Sequence, residues 1–145
     1  MREVTQRIHI DRPPEDVFKL ISDPDRYPEF FSGLTKWSLL TDKPGFDARY
    51  RVLMKVGSIE AGGVVRVTYW REPTSIRWCS EQGIEQEGRW RLRPTDSGGT
   101  DVELTIGFNL SGAVIARLVE RMTGRIVARN MWASLLAARR LLETD

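Results

Sequence analysis

Residues 111–143 read SGAVIARLVERMTGRIVARNMWASLLAARRLLE, the longest run of the chain whose apolar residues fall at helical spacing. They form two sets. Ile115, Leu118, Val119 and Met122 make the first; Val127, Ala128, Met131, Leu135, Ala138, Leu141 and Leu142 make the second. At about 100° per residue the second stripe points opposite to the first, so one straight helix cannot bury both. Gly124, a poor helix former, stands at the junction. The spacing therefore predicts a break or sharp kink there, with a short helix near 112–122 and a long one near 125–143. The long helix is expected to lie against a sheet built by everything before it.

Upstream, Val4, Ile8 and Ile10 alternate with Thr5, Arg7 and His9, the pattern of a half-buried first strand over 4–10. Pro13 and Pro14 suit a helix opening, where a missing N–H costs nothing, and Val17, Leu20 and Ile21 give that helix one apolar face. Asp23-Pro24 repeats the cap-then-proline signal for a second short helix carrying Tyr27, Phe30 and Phe31, ended by Gly33.

From Leu34 the pattern changes to alternation punctuated by turn residues. Six further strands are predicted, near 35–41, 46–56, 58–70, 75–82, 85–93 and 100–109, and their short connections imply an antiparallel meander. Phe46, Ala48, Tyr50, Val52 and Met54 are expected inward, as are Val102, Leu104, Ile106 and Phe108. Gly62 and Gly63 signal a bulge or tight bend inside strand 58–70. The preferred phase turns Val65, Val67 and Tyr69 inward; a bulge would turn Arg66 and Trp70 inward instead.

The totals bound the function. A chain of 145 residues makes one domain, 1–145, able to bury about two-thirds of the surface its unfolded form exposes. Hydrophobic content of 41% and charged content of 29% are those of a globular domain. No apolar run approaches a membrane span, and the N-terminal stretch lacks a secretory apolar region, so a cytoplasmic protein is expected. One cysteine, Cys79, excludes an internal disulfide, and one histidine, His9, excludes the common zinc sets; no metal and no cofactor are expected. A net charge of +2 is too small to imply nucleic acid without clustering.

A strand, two short helices, a six-stranded meander and a long terminal helix describe an α+β helix-grip arrangement. Four stretches carry a resemblance: Ile10-Asp11-Arg12-Pro13-Pro14-Glu15-Asp16-Val17-Phe18, Asp23-Pro24-Asp25-Arg26-Tyr27-Pro28-Glu29-Phe30, Gly88-Arg89-Trp90-Arg91-Leu92 with Gly99-Thr100 behind it, and Asn130-Met131-Trp132-Ala133 running to Leu142-Glu143. Together they resemble the START-like, Bet v 1-like (SRPBCC) superfamily, in its polyketide cyclase/dehydrase-like group. That resemblance implies a curved seven-stranded antiparallel sheet whose two short helices and long C-terminal helix enclose a cavity. The superfamily houses cyclases, lipid and hormone carriers and quinone-binding proteins, so fold analogy alone is not a mechanism. Its ring-hydroxylase relatives bind iron through histidines, which a chain with one histidine cannot copy.

Inward positions combine bulky apolar groups with a few neutral polar ones: Tyr50, Met54, Tyr69, Trp78, Ser80, Gln82, Gln86, Trp90 and Phe108 from strands, Met131 and Leu135 from the helix. Such a mixture suits a pocket that takes up an apolar body and orients it by hydrogen bonds; the alternative is an ordinary core with satisfied polar tips. The leading expectation is a binding protein for a hydrophobic small molecule, polyketide-, quinone- or lipid-like. A second is an aromatase/cyclase or dehydratase acting on a carrier-bound polyketide, with Tyr50 and Tyr69 as the polar actors, since no acid–base pair stands out by spacing. A third is an interaction module. Arg117, Arg121, Arg125 and Arg129 recur every fourth residue, with Arg139 and Arg140 beyond, which reads either as a solvated face or as a surface for an acyl carrier protein or anionic lipid. Trp132 and Leu136 on that side hint at a homodimer or partner contact.

Overall fold

The computed structural model describes residues 2–56, 59–109 and 114–144, excluding the side chains of residues 56, 59, 61 and 114–121. Strand β1 (Arg2–Ile10) leads to helix α1 (Pro14–Ile21) and a short 3₁₀ helix (Pro24–Glu29). Six strands follow: β2 (Leu34–Leu39), β3 (Arg49–Val56), β4 (Ile59–Arg71), β5 (Ser75–Gly83), β6 (Glu85–Pro94) and β7 (Thr100–Asn109). Helix α2 (Val114–Glu143) closes the chain. The strands form one antiparallel sheet in the order β1-β7-β6-β5-β4-β3-β2, a meander to which β1 adds beside β7.

Pro14 at the first turn of α1 and the Asp23 carboxylate accepting the Asp25 N–H at the head of the 3₁₀ helix begin the two interruptions as their sequences predict. Arg12 ties this region to the chain's end: it pairs with Asp16 at 2.7 Å and donates to the Leu142 carbonyl at 2.9 Å. The second interruption is a 3₁₀ turn and not an α-helix; Pro28 inside it has no N–H to donate.

Helix α2 runs unbroken through Gly124, so the predicted division into two helices does not occur. The geometric premise nonetheless survives. Val127, Met131, Leu135, Ala138 and Leu142 are buried, while Met122, nine residues before Met131 and so about half a turn around the axis, is 57% exposed. The helix stays continuous by leaving that residue in solvent. The side chains of Ile115, Leu118 and Val119 lie outside the described residues. Gly124 serves a contact: a β-carbon there would stand 2.3 Å from the Arg2 Nε of β1. Further along, the Gln6 side chain donates to the Ala128 carbonyl at 3.1 Å, fastening α2 to the sheet edge.

Three expectations about β3 and β4 need correction. Strand β3 begins at Arg49, not at 46, because Asp47 adopts a left-handed conformation (φ 69°) and donates its N–H to the Val67 carbonyl; Phe46 is consequently 69% exposed. Gly62 and Gly63 keep β4 in unbroken register with β3. They are needed because a β-carbon would stand 1.9 Å from the Val52 carbonyl oxygen at Gly62 and 1.9 Å from the Gln82 carbonyl oxygen at Gly63. The irregularities toward β5 fall later, between Val64 and Val65 and between Val67 and Tyr69. The second reverses the phase: Val65 and Val67 are buried, Trp70 packs edge-on against Phe18 at 5.4 Å, and Tyr69 turns outward.

Candidate functional site

The inner face of the sheet, roofed by α2 and the 3₁₀ helix, is lined with aromatic rings. Trp37 of β2 stands at the centre. Its ring centroid lies 4.9 Å from Tyr27, 5.3 Å from Tyr50 and 6.2 Å from Trp78, and Phe31 meets Trp90 edge-on at 6.4 Å. Alternation explains the convergence: Trp37 pairs across the ladder with Val52, and Tyr50, Val65 and Ser80 form one cross-strand row on the same face. Trp78 bends over β6. A β-carbon on Gly88 would lie 2.1 Å from the Trp78 ring, so only glycine leaves room for that indole.

The polar groups of this lining are unevenly satisfied. The Tyr27 hydroxyl donates to the Ile21 carbonyl and accepts the Trp90 indole N–H. Burial pushes its pKa far above the ordinary tyrosine value, with nearby Tyr50 adding to the shift and the Trp90 bond opposing it. Burial also pushes Tyr50 up to about 12. Tyr50 is therefore a proton donor at neutral pH and not a base. The buried Trp37 Nε1 has no acceptor among the described residues. Trp37 is absent from the residues expected at the site, although Trp37 and Leu39 alternate with Lys36 and Ser38 as an inward pair would.

The residues named from sequence separate into three groups. Tyr50, Trp78, Trp90, Phe108, Met131 and Leu135 are buried on the inner side. Met54, Ser80 and Gln86 share that face but remain partly accessible; the Ser80 hydroxyl accepts the Gln86 N–H at 3.0 Å. Tyr69 and Gln82 are not part of the site. Tyr69 is 38% exposed on the outer face, with the Arg77 guanidinium 5.1 Å above its ring. Gln82 is exposed because the register shift between Val64 and Val65 leaves Glu81 as an extra residue and sets Gln82 opposite Val64.

Two hollows of about 360 and 190 Å³ lie on the outer face, and a cleft of about 20 Å³ lies between the aromatic rings. The first is floored by charged groups engaged with one another: Glu103 takes Arg7 at 2.9 Å and Arg91 at 3.9 Å, and His9 meets Asp101 at 3.0 Å. It reads as a solvated sheet face. Among the described residues no group of His, Cys, Asp and Glu side chains could hold a metal ion, and no helix is long and apolar enough to cross a membrane. On α2, Arg125, Arg129 and Arg140 are exposed and Trp132 is 41% exposed; the side chains of Arg117 and Arg121 lie outside the described residues.

A half-barrel of seven antiparallel strands gripping a C-terminal helix, with an aromatic inner face, is the helix-grip fold of the START/Bet v 1 (SRPBCC) superfamily. The model of one family, "Polyketide cyclase / dehydrase and lipid transport", matches residues 1–143, and the chain belongs to that family. Among solved structures it is similar to TTHA0849 from Thermus thermophilus, at 20% identity over 99% of this chain and 98% of that one with a TM-score of 0.85. It is similar also to the Zhui aromatase/cyclase from Streptomyces sp. R1128, at 21% identity, 98% and 93% coverage and a TM-score of 0.81. A START superfamily protein from Mycobacterium smegmatis follows at 16% identity, 98% and 97% coverage and a TM-score of 0.76. No curated protein matches the chain.

Proposed function

We propose that this protein binds a hydrophobic small molecule, polyketide-, quinone- or lipid-like, on the inner face of the sheet beneath α2. The observation that carries the reading is a difference within one face. Tyr50, Trp78 and Trp90 are sealed, whereas Met54, Ser80 and Gln86, inward by their cross-strand pairing, stay accessible, so the described side chains do not fill the face. An apolar wall with a few neutral polar groups suits such a ligand. Family membership supports it. The test is uptake of a neutral fluorescent apolar probe by the wild type and by Met54→Glu. Saturable uptake in the wild type, lost in a variant that keeps its near-UV dichroism, supports the reading; no uptake of any apolar compound overturns it.

The Tyr50 hydroxyl, buried on the inner face and held protonated, supports a second reading, ring closure or dehydration of a carrier-bound polyketide, in which Tyr50 donates to a developing enolate. Tyr69 has no part in it, being outside. Incubation with a reactive poly-β-ketone then gives a product distribution that Tyr50→Phe abolishes while probe binding persists. Delivery of the molecule by an acyl carrier protein or from an anionic lipid surface would use the exposed Arg125, Arg129 and Arg140 around Trp132, and reversal of Arg125 and Arg129 to Glu tests this by loss of capture.

A further inference from the structure

The narrow cleft that Trp37 and Tyr50 share opens about 20 Å³, room for one oxygen atom or one water molecule and no more. Its wall continues through Ser22, Pro24, Tyr27, Trp70, Trp78 and aliphatic side chains, and contains no charged group. Among the polar groups on its five aromatic rings, the Tyr27 hydroxyl is matched on both sides, by the Ile21 carbonyl and the Trp90 indole. Indole Nε1–H can only donate, and the Trp37 nitrogen is buried without a partner. A buried donor left in that state is costly, and a bound group that accepts from it recovers the loss.

We infer that the cleft between Trp37 and Tyr50 receives the oxygen of a neutral carbonyl group on the bound molecule, Trp37 Nε1–H and the Tyr50 hydroxyl both donating to it. The inference rests on the small-molecule reading above and narrows it to ketones, quinones, esters and amides. A hydrocarbon end leaves the Trp37 donor unpaired. A carboxylate brings a charge into a wall that holds no cation, and losing its hydration there is uncompensated. Trp37 is thus a specificity-determining residue, distinct from the rings that supply only apolar surface.

The test uses the whole chain and three probes of one shape: acetonaphthone, the isosteric alkene isopropenylnaphthalene, and naphthoate. The wild type is expected to bind the ketone at least about tenfold more tightly than the alkene or the carboxylate, a preference within reach of paired hydrogen bonds. Trp37→Phe should shrink the ketone–alkene ratio to about twofold or less by raising the ketone Kd alone. Tyr50→Phe, which keeps the ring, does the same in part and serves if Trp37→Phe fails to fold. Equal wild-type affinities for ketone and alkene would mean that water satisfies both donors, and would overturn the inference while leaving the small-molecule reading intact. A ketone preference that survives both substitutions would also overturn it. Failure of every probe to bind would sink both readings together.

Discussion

The indole of Trp78 lies over Gly88, its ring carbon only 2.1 Å from the place a β-carbon on Gly88 would take. The two residues face each other across the β5–β6 ladder, so a strand position with no side chain gives its neighbour a bed. Trp78 in turn reaches Trp37 and the cleft beside Tyr50. One missing methyl group therefore shapes the aromatic wall.

Gly88→Ala should displace that ring. The expected cost is about 1–3 kcal/mol of stability, as for other overpacked cores, read as a lower urea midpoint with an unchanged slope. Apolar-probe affinity should fall with it.

Gly124→Ala separates a continuous helix from a kinked one. In an unbroken α2 the nearest atoms the new methyl meets belong to the movable guanidinium of Arg2, and the gain in helix propensity is expected to leave the protein unchanged or stabilised by about 0.5–1 kcal/mol. A clear loss in Tm would indicate a special backbone conformation at Gly124.

Much of this architecture is legible from spacing. The Val127-to-Leu142 stripe and the inward set Tyr50, Val52 and Val102-to-Phe108 follow from periods of 3.6 and 2 with no tertiary information. The errors cluster where one extra residue enters a strand. Strict alternation turns Tyr69 and Gln82 inward, and each lies just past a register shift that alternation cannot locate. Gly124 misleads for another reason: glycine's poor propensity is a local quantity, and packing against β1 outweighs it. Trp37 escapes a sequence reading that gives its short strand no inward and outward assignment, and its unpartnered nitrogen is a property of three dimensions.

Tyr69→Ala should leave ligand affinity unchanged, because the side chain sits on the outer face beneath Arg77. Its stability cost is expected to stay near the roughly 0.5–1 kcal/mol of an exposed cation–π pair. A large drop in probe affinity would place Tyr69 at the site after all.

Alkaline stability should report the buried tyrosines. Tyr50 is raised from 10.0 to about 12 on folding, so the folded chain holds this proton more tightly than the unfolded one. Its contribution is fully present below pH 10.0 and is lost progressively as pH rises toward about 12. Tyr27, raised in the same direction, adds a loss of the same sign. Urea unfolding across that range should show Tyr50→Phe losing less stability than the wild type, with the residual loss due to Tyr27.

Occupancy of the inner face is tested most directly by NMR of the five indole N–H groups while acetonaphthone is titrated into the protein. Binding beneath α2 is expected to move the Trp37, Trp78 and Trp90 signals in a saturable way and to leave Trp132, on the outside of the helix, where it is. Shifts confined to Trp132, or no shift in any of the five, would contradict a ligand site between the sheet and α2.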